Sequence, residues 1–408
     1  MSLKLQAKSI ENNKIFYALI VLACMNFYEE GALLTLILGI YFLCKCHFRF
    51  ETDGTFVGML VVTFSVIITS IIYNRAYVEC LKALNFILLY IVGRRGYSIA
   101  EDKEAFIKRS MFAVFIGFFL QLILQYAYNF GKTYERARTL YSIWTERAIA
   151  VTLIGLLSAA LIGYSFYGLF LCKKKYMKIL SAAAIILTLI VNLASATRTP
   201  IYLMIVNFII MAIIFFSDNT SGNAKGRVRV FSALLVLVVG VFIAYEMNAF
   251  NLKTYVDASA LLGRVSYAGI KTQRTTLFTQ YNKLMLQYPW GGGHMREIIG
   301  RSAHNYLQES YDLYGAISFI ALIGFTIHMF ANFIKLLRIR GKKDYHFLII
   351  SVGLALFTQC CLEPVMTGYP VALWILIMIH GMTTSFLRSG DYYLEGKSGQ
   401  KRFAMLDV

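Results

Sequence analysis

Residues 56–73 read FVGMLVVTFSVIITSIIY, an apolar run with no charged side chain. A helix of this length rises about 27 Å, close to the hydrocarbon thickness of a bilayer. Similar runs recur along the 408-residue chain, of which 58% is hydrophobic. Soluble domains are about 45–50% apolar. The pattern predicts an all-α polytopic membrane protein with a single membrane domain.

The recurrence of apolar runs predicts twelve transmembrane spans, of which the first, second and fourth are short or weak. They lie near residues 15–27, 31–45, 56–73, 79–93, 111–128, 148–171, 178–194, 199–216, 230–248, 313–335, 346–362 and 369–387. Residues 1–249 then hold nine spans, 250–312 form a large loop with amphipathic helices, 313–390 hold three spans, and 391–408 form a tail. The N-terminus lacks a small-residue cleavage site, so the first span is expected to be retained.

The 40 Lys and Arg residues set the expected orientation. With both termini in the cytoplasm, most of these residues fall on the cytoplasmic side, as the positive-inside bias requires. The 250–312 loop is then extracytoplasmic. The asymmetry accounts for most of the formal net charge of +18, and no aromatic-basic motif indicates nucleic-acid binding.

Arginine outnumbers lysine among the basic residues of the expected outer side, whereas lysine dominates the inner side. Topology needs only positive charge, but the planar arginine fork also holds phosphate or carboxylate through two bonds. The bias favours an anionic ligand on the outer side, although counts this small also arise by chance. The seven cysteines show neither a disulfide framework nor zinc spacing, and we predict no metal site. No cofactor is expected either.

Two polar elements on the expected outer side precede a glycine-rich stretch. The turn SATRTP, residues 195–200, carries Arg198 beside a capping threonine and a helix-starting proline. A later amphipathic run carries Arg264, Lys271 and Arg274, and its apolar stripe predicts a helix along the membrane surface or over the bundle. Each feature alone is also typical of an interfacial anchor or a solvated basic face.

The third element is YPWGGGHMREIIGRSAHNYLQESYDLYGAI, residues 288–317. Its glycine triplet permits a tight turn and close approach of backbone N–H groups to a ligand. The segment AHNYLQES is predicted to begin the helix of the tenth span. That helix would carry two polar stripes, which lipid does not tolerate and which are expected to line a site. The stripes are His304, Gln308 and Tyr311, and Asn305, Gln308 and Asp312.

These elements, in this order, resemble the motifs of the bacterial O-antigen polymerase and O-antigen ligase superfamily of membrane glycosyltransferases. The similar motifs are a Thr-Arg turn between spans, an Arg-bearing helix ending in a Pro-Gly turn, and His-Asn followed by an acid and a glycine. They occur here at Ala196–Thr199, Gln273–Gly291 and His304–Gly315. With the span layout and the late outer loop, the resemblance covers most of the chain and implies a GT-C-like fold.

The resemblance implies an inverting, metal-independent glycosyltransferase in the bacterial inner membrane, surrounded by membrane lipids and active on the outer face. Its donor would be an undecaprenyl-pyrophosphate-linked saccharide, and its acceptor a lipid-linked saccharide or lipid A-core. Arg198 and Arg274 would neutralise the leaving pyrophosphate, and His304 would be either the general base or a binding residue. The expected substrate contacts are Arg264, Lys271, Arg296, Arg301, Asn305, Gln308, Tyr288, Trp290 and Tyr306.

The sequence leaves several functions open. We expect a polymerase that joins repeat units of a surface polysaccharide such as O-antigen or capsule. A ligase, which moves the finished glycan to lipid A-core, is the alternative within the family. A transporter or flippase is the main alternative outside it, although the repeat symmetry and midplane acidic residues usual in transporters are not evident in the sequence. A non-catalytic scaffold would not need the combination of Arg, His and Gly residues.

Overall fold

Long apolar helices dominate the computed structural model of the chain, which describes residues 13–75, 77–130, 139–150, 152–195, 202–210, 246–248, 253–254, 273–339 and 344–390. The helices are α1 Lys14–Cys24, α2 Gly31–Lys45, α3 Gly54–Ile72, α4 Tyr77–Ile99, α5 Lys103–Asn129, α6 Thr152–Phe170, α7 Lys175–Ser195, α8 Gln273–Met285, α9 His294–Ile299, α10 Tyr306–Arg338, α11 Asp344–Leu362 and α12 Val371–Ser389. A 3₁₀ turn spans Phe27–Glu29, two strands are β1 Thr139–Tyr141 and β2 Ala148–Ala150, and residues 202–210 are also helical.

Seven helices in the described part of the chain are long and apolar enough to cross a membrane, namely α3, α5, α6, α7, α10, α11 and α12. This confirms the expectation of an all-α membrane-embedded protein. The helices α1 and α2, with 11 and 15 residues, are shorter, and α4 carries charged residues at both ends. They correspond to the three spans that the sequence marked as short or weak. The total of twelve stays a prediction, because half of 199–216 and most of 230–248 lie outside the described residues.

The core of the bundle lies around α12, which is buried from Val371 through Phe386. This helix packs most extensively against α4 and also contacts α11 and α10. At one end of the bundle, Asp53 at the start of α3 forms ion pairs with two further helices. Its carboxylate lies 2.5 Å from Arg94 of α4 and 3.3 Å from Arg388 of α12. The sequence predicts this end to be cytoplasmic.

The opposite end of the bundle collects the connections that follow α1, α3, α5 and α11, together with α9, around one cavity. We call it the cavity end. It is the end that the Lys and Arg distribution predicts to face outward. Because alternate connections of an antiparallel bundle share one end, the loops that line the cavity are far apart in sequence.

A short antiparallel hairpin follows α5, where the sequence had predicted the sixth span to begin at residue 148. Thr139 pairs with Ala150 and Tyr141 with Ala148, and the helix begins only at Thr152. The buried Asn129 side chain acts as a further strand partner. It donates to the Tyr141 carbonyl and accepts from the Tyr141 amide, both at 2.9 Å. The predicted start of the sixth span at residue 148 is therefore too early, because the apolar residues 148–150 pair in the hairpin.

Candidate functional site: a charged cavity at one end of the bundle

A cavity of ≈ 680 Å³ opens at the cavity end. Its volume is within the usual range for a small-molecule site. Its wall is neither uniformly apolar nor of one charge. The side chains that bear chemistry are Asn26, Glu29, Arg75, Glu79, Lys82, Gln121, Gln125, Arg296, Glu363 and Thr367. The acidic and basic groups are therefore balanced in number, and their pairing decides which charges remain available to a ligand.

Most of the charged groups on the wall have protein partners. Lys82 lies 2.8 Å from Glu79, and Glu29 accepts a hydrogen bond of 2.6 Å from the Thr145 hydroxyl. Glu363 lies 3.6 Å from the Nδ1 atom of His304. These contacts leave the two arginines of the wall as the cations most open to an anionic ligand.

Arg75 and Arg296 converge on the glycine turn. A Cβ atom built on Gly293 would lie 3.5 Å from Nη2 of Arg75 and 4.0 Å from Nη2 of Arg296. Neither guanidinium forms an ion pair with a carboxylate in the described part of the chain. Asp312 interacts electrostatically with both, but its carboxylate is already engaged by backbone N–H groups. Arg75 also lies over the ring of Tyr314, at 5.7 Å. Glu309 also interacts electrostatically with Arg296, but backbone N–H groups likewise bond its carboxylate. Two adjacent guanidinium groups without an ion-pair partner are suited to bind an anion.

Asp312 fixes the position of Arg296. Its Oδ1 atom accepts hydrogen bonds from the amides of Met295, at 2.9 Å, and Arg296, at 3.3 Å. These amides belong to the first turn of α9, which has Gly293 as its N-cap and no capping side chain of its own. A carboxylate from another helix thus supplies the missing cap, and the first turn of α9 favours its negative charge.

The glycine triplet serves a different purpose from the predicted one. Gly292 donates to the Leu313 carbonyl at 3.2 Å, and Gly293 donates to the Asp312 carbonyl at 2.7 Å. These N–H groups therefore do not face a ligand, and the prediction that they would is wrong. They pair with carbonyls of α10 next to its break at Gly315, which has φ 84° and ψ −179°.

The glycine turn, residues 291–293, and the break in α10 at Gly315 interlock through their backbones. Close backbone contact explains why this interlock needs glycine on both sides. A Cβ on Gly291 would lie 2.6 Å from the Gly315 nitrogen, and a Cβ on Gly315 would lie 2.8 Å from the Pro289 carbonyl oxygen. Ala316 donates to the same Pro289 carbonyl at 2.8 Å. All three residues of the triplet have positive φ, between 81° and 95°. The interlock places α9, and with it Arg296, against α10.

His304 lies before the helix and not on its face. The helix α10 begins at Tyr306, and Asn305 is its N-cap, accepting from the Gln308 amide at 2.7 Å. The predicted stripe that included His304 is therefore wrong, because the backbone turns at the cap. Glu363 lines the cavity and is 5% exposed, whereas His304 does not line the cavity. The imidazole therefore reaches the cavity only through Glu363.

Glu309, which is not among the site residues predicted from the sequence, binds the loop that follows α11. Its buried carboxylate accepts from the Met366 amide at 2.7 Å, the Thr367 amide at 2.8 Å and the Thr367 hydroxyl at 2.5 Å. Met366 and Thr367 line the cavity. A buried acid that accepts three hydrogen bonds acts as a clamp, since each donor would otherwise be unsatisfied.

Replacing Glu309 by Gln should loosen this loop, because the amide NH₂ group cannot accept from the donors that face it. We expect the free energy of unfolding to fall by about 1.5–3 kcal/mol. Glu297→Gln is the matched control, since Glu297 is 71% exposed on α9. Thermal unfolding in detergent measures both variants. Equal melting temperatures would show that the clamp contributes nothing.

Other residues selected from the sequence have structural positions. Gln308 is buried and donates to the Phe278 carbonyl and to Asn282, which attaches α8 to α10. Tyr306 is fully buried, with its hydroxyl bonded to Thr326. Its ring has no exposed face for a sugar, so the expectation that it contacts substrate is wrong. Trp290 is 72% exposed, and Tyr288 is half-buried and packs beside His294.

Arg301 is exposed at the end of α9, where its carbonyl accepts a 2.7 Å hydrogen bond from Tyr281. Burial raises the pKa of the Tyr281 phenol, so it stays protonated and can donate. Leu277 and Tyr281 bury the apolar stripe expected for α8. Arg198, Arg264 and Lys271 lie outside the described residues, and Arg274 lies in α8 with its side chain outside the description.

Five residues at or beside the cavity were not predicted from the sequence, namely Arg75, Gln121, Gln125, Glu309 and Glu363. Arg75 could have been found, because it is an arginine in a very short loop between two expected spans on the outer side. The glutamines had a weaker signal, which is two amides four residues apart in an otherwise apolar span. Glu309 was visible only as the acid of the third motif. Among the described residues, no group of three or more His, Cys, Asp or Glu side chains is placed to hold a metal ion.

The fold and this cavity define the chain as an α-helical membrane protein with several membrane-crossing helices and a charged cavity at one end of its bundle. No protein-family model matches the chain, and no curated protein matches it either.

Proposed function

We propose that the protein is an inverting glycosyltransferase that uses an undecaprenyl-pyrophosphate-linked saccharide and polymerises repeat units of a surface polysaccharide. The observation that carries the proposal is the pair Arg75 and Arg296, which converge without carboxylate partners on the wall of a cavity large enough for a sugar. The resemblance of the three sequence motifs to the O-antigen polymerase and ligase superfamily agrees with it.

The arginine pair suits the leaving group of such a reaction. When the bond between the anomeric carbon and the pyrophosphate oxygen breaks, negative charge develops on the lipid pyrophosphate. Preorganised guanidinium groups in a site partly closed to water stabilise that charge in the transition state. Arg198 and Arg274 keep their proposed roles as further charge neutralisers on the basis of the sequence motifs. Metal independence remains part of the proposal.

The His304–Glu363 pair suits activation of the acceptor. A hydroxyl of the acceptor saccharide would attack the anomeric carbon from the face opposite the pyrophosphate, which inverts its configuration. The hydroxyl proton would pass to this pair as the new bond forms. Because Glu363 lines the cavity and His304 lies behind it at 3.6 Å, the carboxylate would meet the hydroxyl first and share the proton with the imidazole.

The test is to incubate purified protein with the lipid-linked repeat unit alone, in EDTA, and to separate the products on a gel. A ladder of products is the expected result. His304→Ala and Glu363→Gln should each reduce it by about 10²–10⁴-fold while the protein stays folded. A ladder of normal intensity from both variants would remove the proposed base.

Two other results would redirect the proposal. A band shift that appears only after lipid A-core is added would make the protein a ligase, with the same donor and the same cavity. No product under either condition would reject the glycosyltransferase.

A transporter is the second candidate, and one observation favours it. A smaller cavity of ≈ 350 Å³ lies at the other end of the bundle and is lined by Asp53, His328 and Arg388. The Nδ1 atom of His328 lies 3.0 Å from Nε2 of the fully buried His380. Ionisable residues within spans often belong to proton or substrate pathways. Movement of lipid-linked saccharide across reconstituted vesicles, without product formation, would establish this alternative.

A further inference from the structure

Two glutamines of α5 line the cavity one helical turn apart. Gln121 and Gln125 are separated by four residues and so share a face of the helix. Gln121 lies about 12 Å along the helix axis from Asn129 at its end. The cavity wall also contains apolar side chains, among them those of Ala32, Leu153 and Leu156. The glutamines therefore add uncharged polar groups to a wall that also has apolar side chains.

Neither carboxamide oxygen has a hydrogen-bond partner among the described residues. Both side chains are only 1% exposed. A buried polar group without a partner destabilises the folded protein, and such groups are usually paired. Asn129, on the same helix, shows the usual situation, because its amide bonds both backbone groups of Tyr141. Because Gln121 and Gln125 also line the cavity, a ligand bound there would supply the missing partner.

The chemistry of the patch indicates what that ligand presents. A carboxamide accepts from a hydroxyl through its oxygen and donates to one through its nitrogen. It carries no charge, so it offers little to a phosphate. Apolar side chains of the same cavity wall can pack against the C–H face of a ring. A saccharide ring combines these features, since its hydroxyls lie at the rim and its C–H groups on the faces.

We propose that Gln121 and Gln125 form a subsite for a neutral saccharide ring, separate from the arginine pair that would hold the pyrophosphate. The proposal rests on the function proposed above, in which both parts of the donor enter one cavity. The sugar would contribute affinity through the glutamines, and the lipid pyrophosphate would contribute through Arg75 and Arg296.

The test measures binding of three probes to the full chain in nanodiscs. They are undecaprenyl pyrophosphate, the undecaprenyl-pyrophosphate-linked saccharide extracted from the producing cells, and the saccharide released from that lipid. We expect the saccharide-bearing lipid to bind at least about 10-fold more tightly than the bare lipid, from two additional hydrogen bonds. The double variant Q121L/Q125L should lose this difference and keep the affinity for the bare lipid.

Gln359→Leu is the matched control. Gln359 is fully buried in α11, and neither atom of its carboxamide has a hydrogen-bond partner among the described residues, but it does not line the cavity. This variant should bind all three probes like the wild type. The melting temperature of unliganded Q121L/Q125L should not lie below that of Q359L. A lower value would show that the two glutamines stabilise the protein itself, and would overturn the proposal.

The probes separate failure of the subsite from failure of the proposed function. If wild type binds both lipids equally and does not bind the released saccharide, the subsite is rejected and the pyrophosphate site stands. If only the released saccharide binds, and Q121L/Q125L abolishes that binding, the subsite stands and the proposed donor is rejected. If no probe binds, both proposals are rejected.

Discussion

Replacing both Arg75 and Arg296 by alanine is expected to reduce sugar transfer by at least about 10³-fold. Removal of one preorganised donor to a developing negative charge costs about 10²–10³-fold in rate, and here two converge on the same place. Single variants should each show part of the loss. Single-turnover rates with saturating lipid-linked saccharide measure the chemical step.

Lysine variants and an arginine that does not line the cavity sharpen this test. Arg75→Lys and Arg296→Lys keep the charge but lose the planar fork, so each should recover only part of the activity. Arg147→Ala is the matched control, because Arg147 is exposed in the hairpin at the cavity end and does not line the cavity. Transfer by R75A/R296A at the rate of R147A would refute the role given to the pair.

Gly315→Ala is expected to destabilise the protein more than the loss of the Glu309 clamp does. The backbone angles of Gly315, φ 84° and ψ −179°, are almost restricted to glycine, and forcing another residue into them costs about 1–3 kcal/mol. Its new Cβ atom would also lie 2.8 Å from the Pro289 carbonyl oxygen, and such overpacking costs about 1–3 kcal/mol more. Relief of this clash would separate the glycine turn from α10 and displace Arg296.

The control for this prediction isolates the clash. Gly300 also has positive φ, 74°, but a Cβ there would meet nothing within 4 Å. Gly300→Ala should therefore show only the backbone cost, about 1–2 kcal/mol. Thermal unfolding in detergent should place G315A well below G300A, and G315A should also lose transfer at temperatures where it remains folded. Similar melting temperatures would show that the interlock is not needed for stability.

The membrane architecture could be predicted from the sequence, because spanning a bilayer demands about 20 apolar residues in one continuous stretch. Runs such as that of α3 satisfy this demand without reference to any other part of the chain. The weakness of α1, α2 and α4 was visible for the same reason. The hairpin at residues 139–150 was not predicted, because it depends on Asn129, which is polar and lies in another element.

The candidate site was predicted only in its late segment. Arg296 was selected from residues 288–317, and it lines the cavity. His304 was selected from the same stretch and reaches the cavity only through Glu363, from a loop about sixty residues later. The glycine triplet was identified as a turn but given the wrong partner. Its partner is the break in α10, and a break caused by a single glycine is not distinguishable in sequence from an ordinary helical glycine.

By itself, then, the sequence determined that the chain crosses a membrane, roughly where its helices lie, and which end of the bundle is expected to face outward. Those properties follow from local apolarity and from the count of basic residues, which need no knowledge of contacts. Only the tertiary structure brought together Arg75, Gln121, Arg296 and Glu363, which belong to four separate segments. The physical reason is that helix packing decides which loops meet at one end of the bundle, and pairing among their charges decides which groups stay open to a ligand.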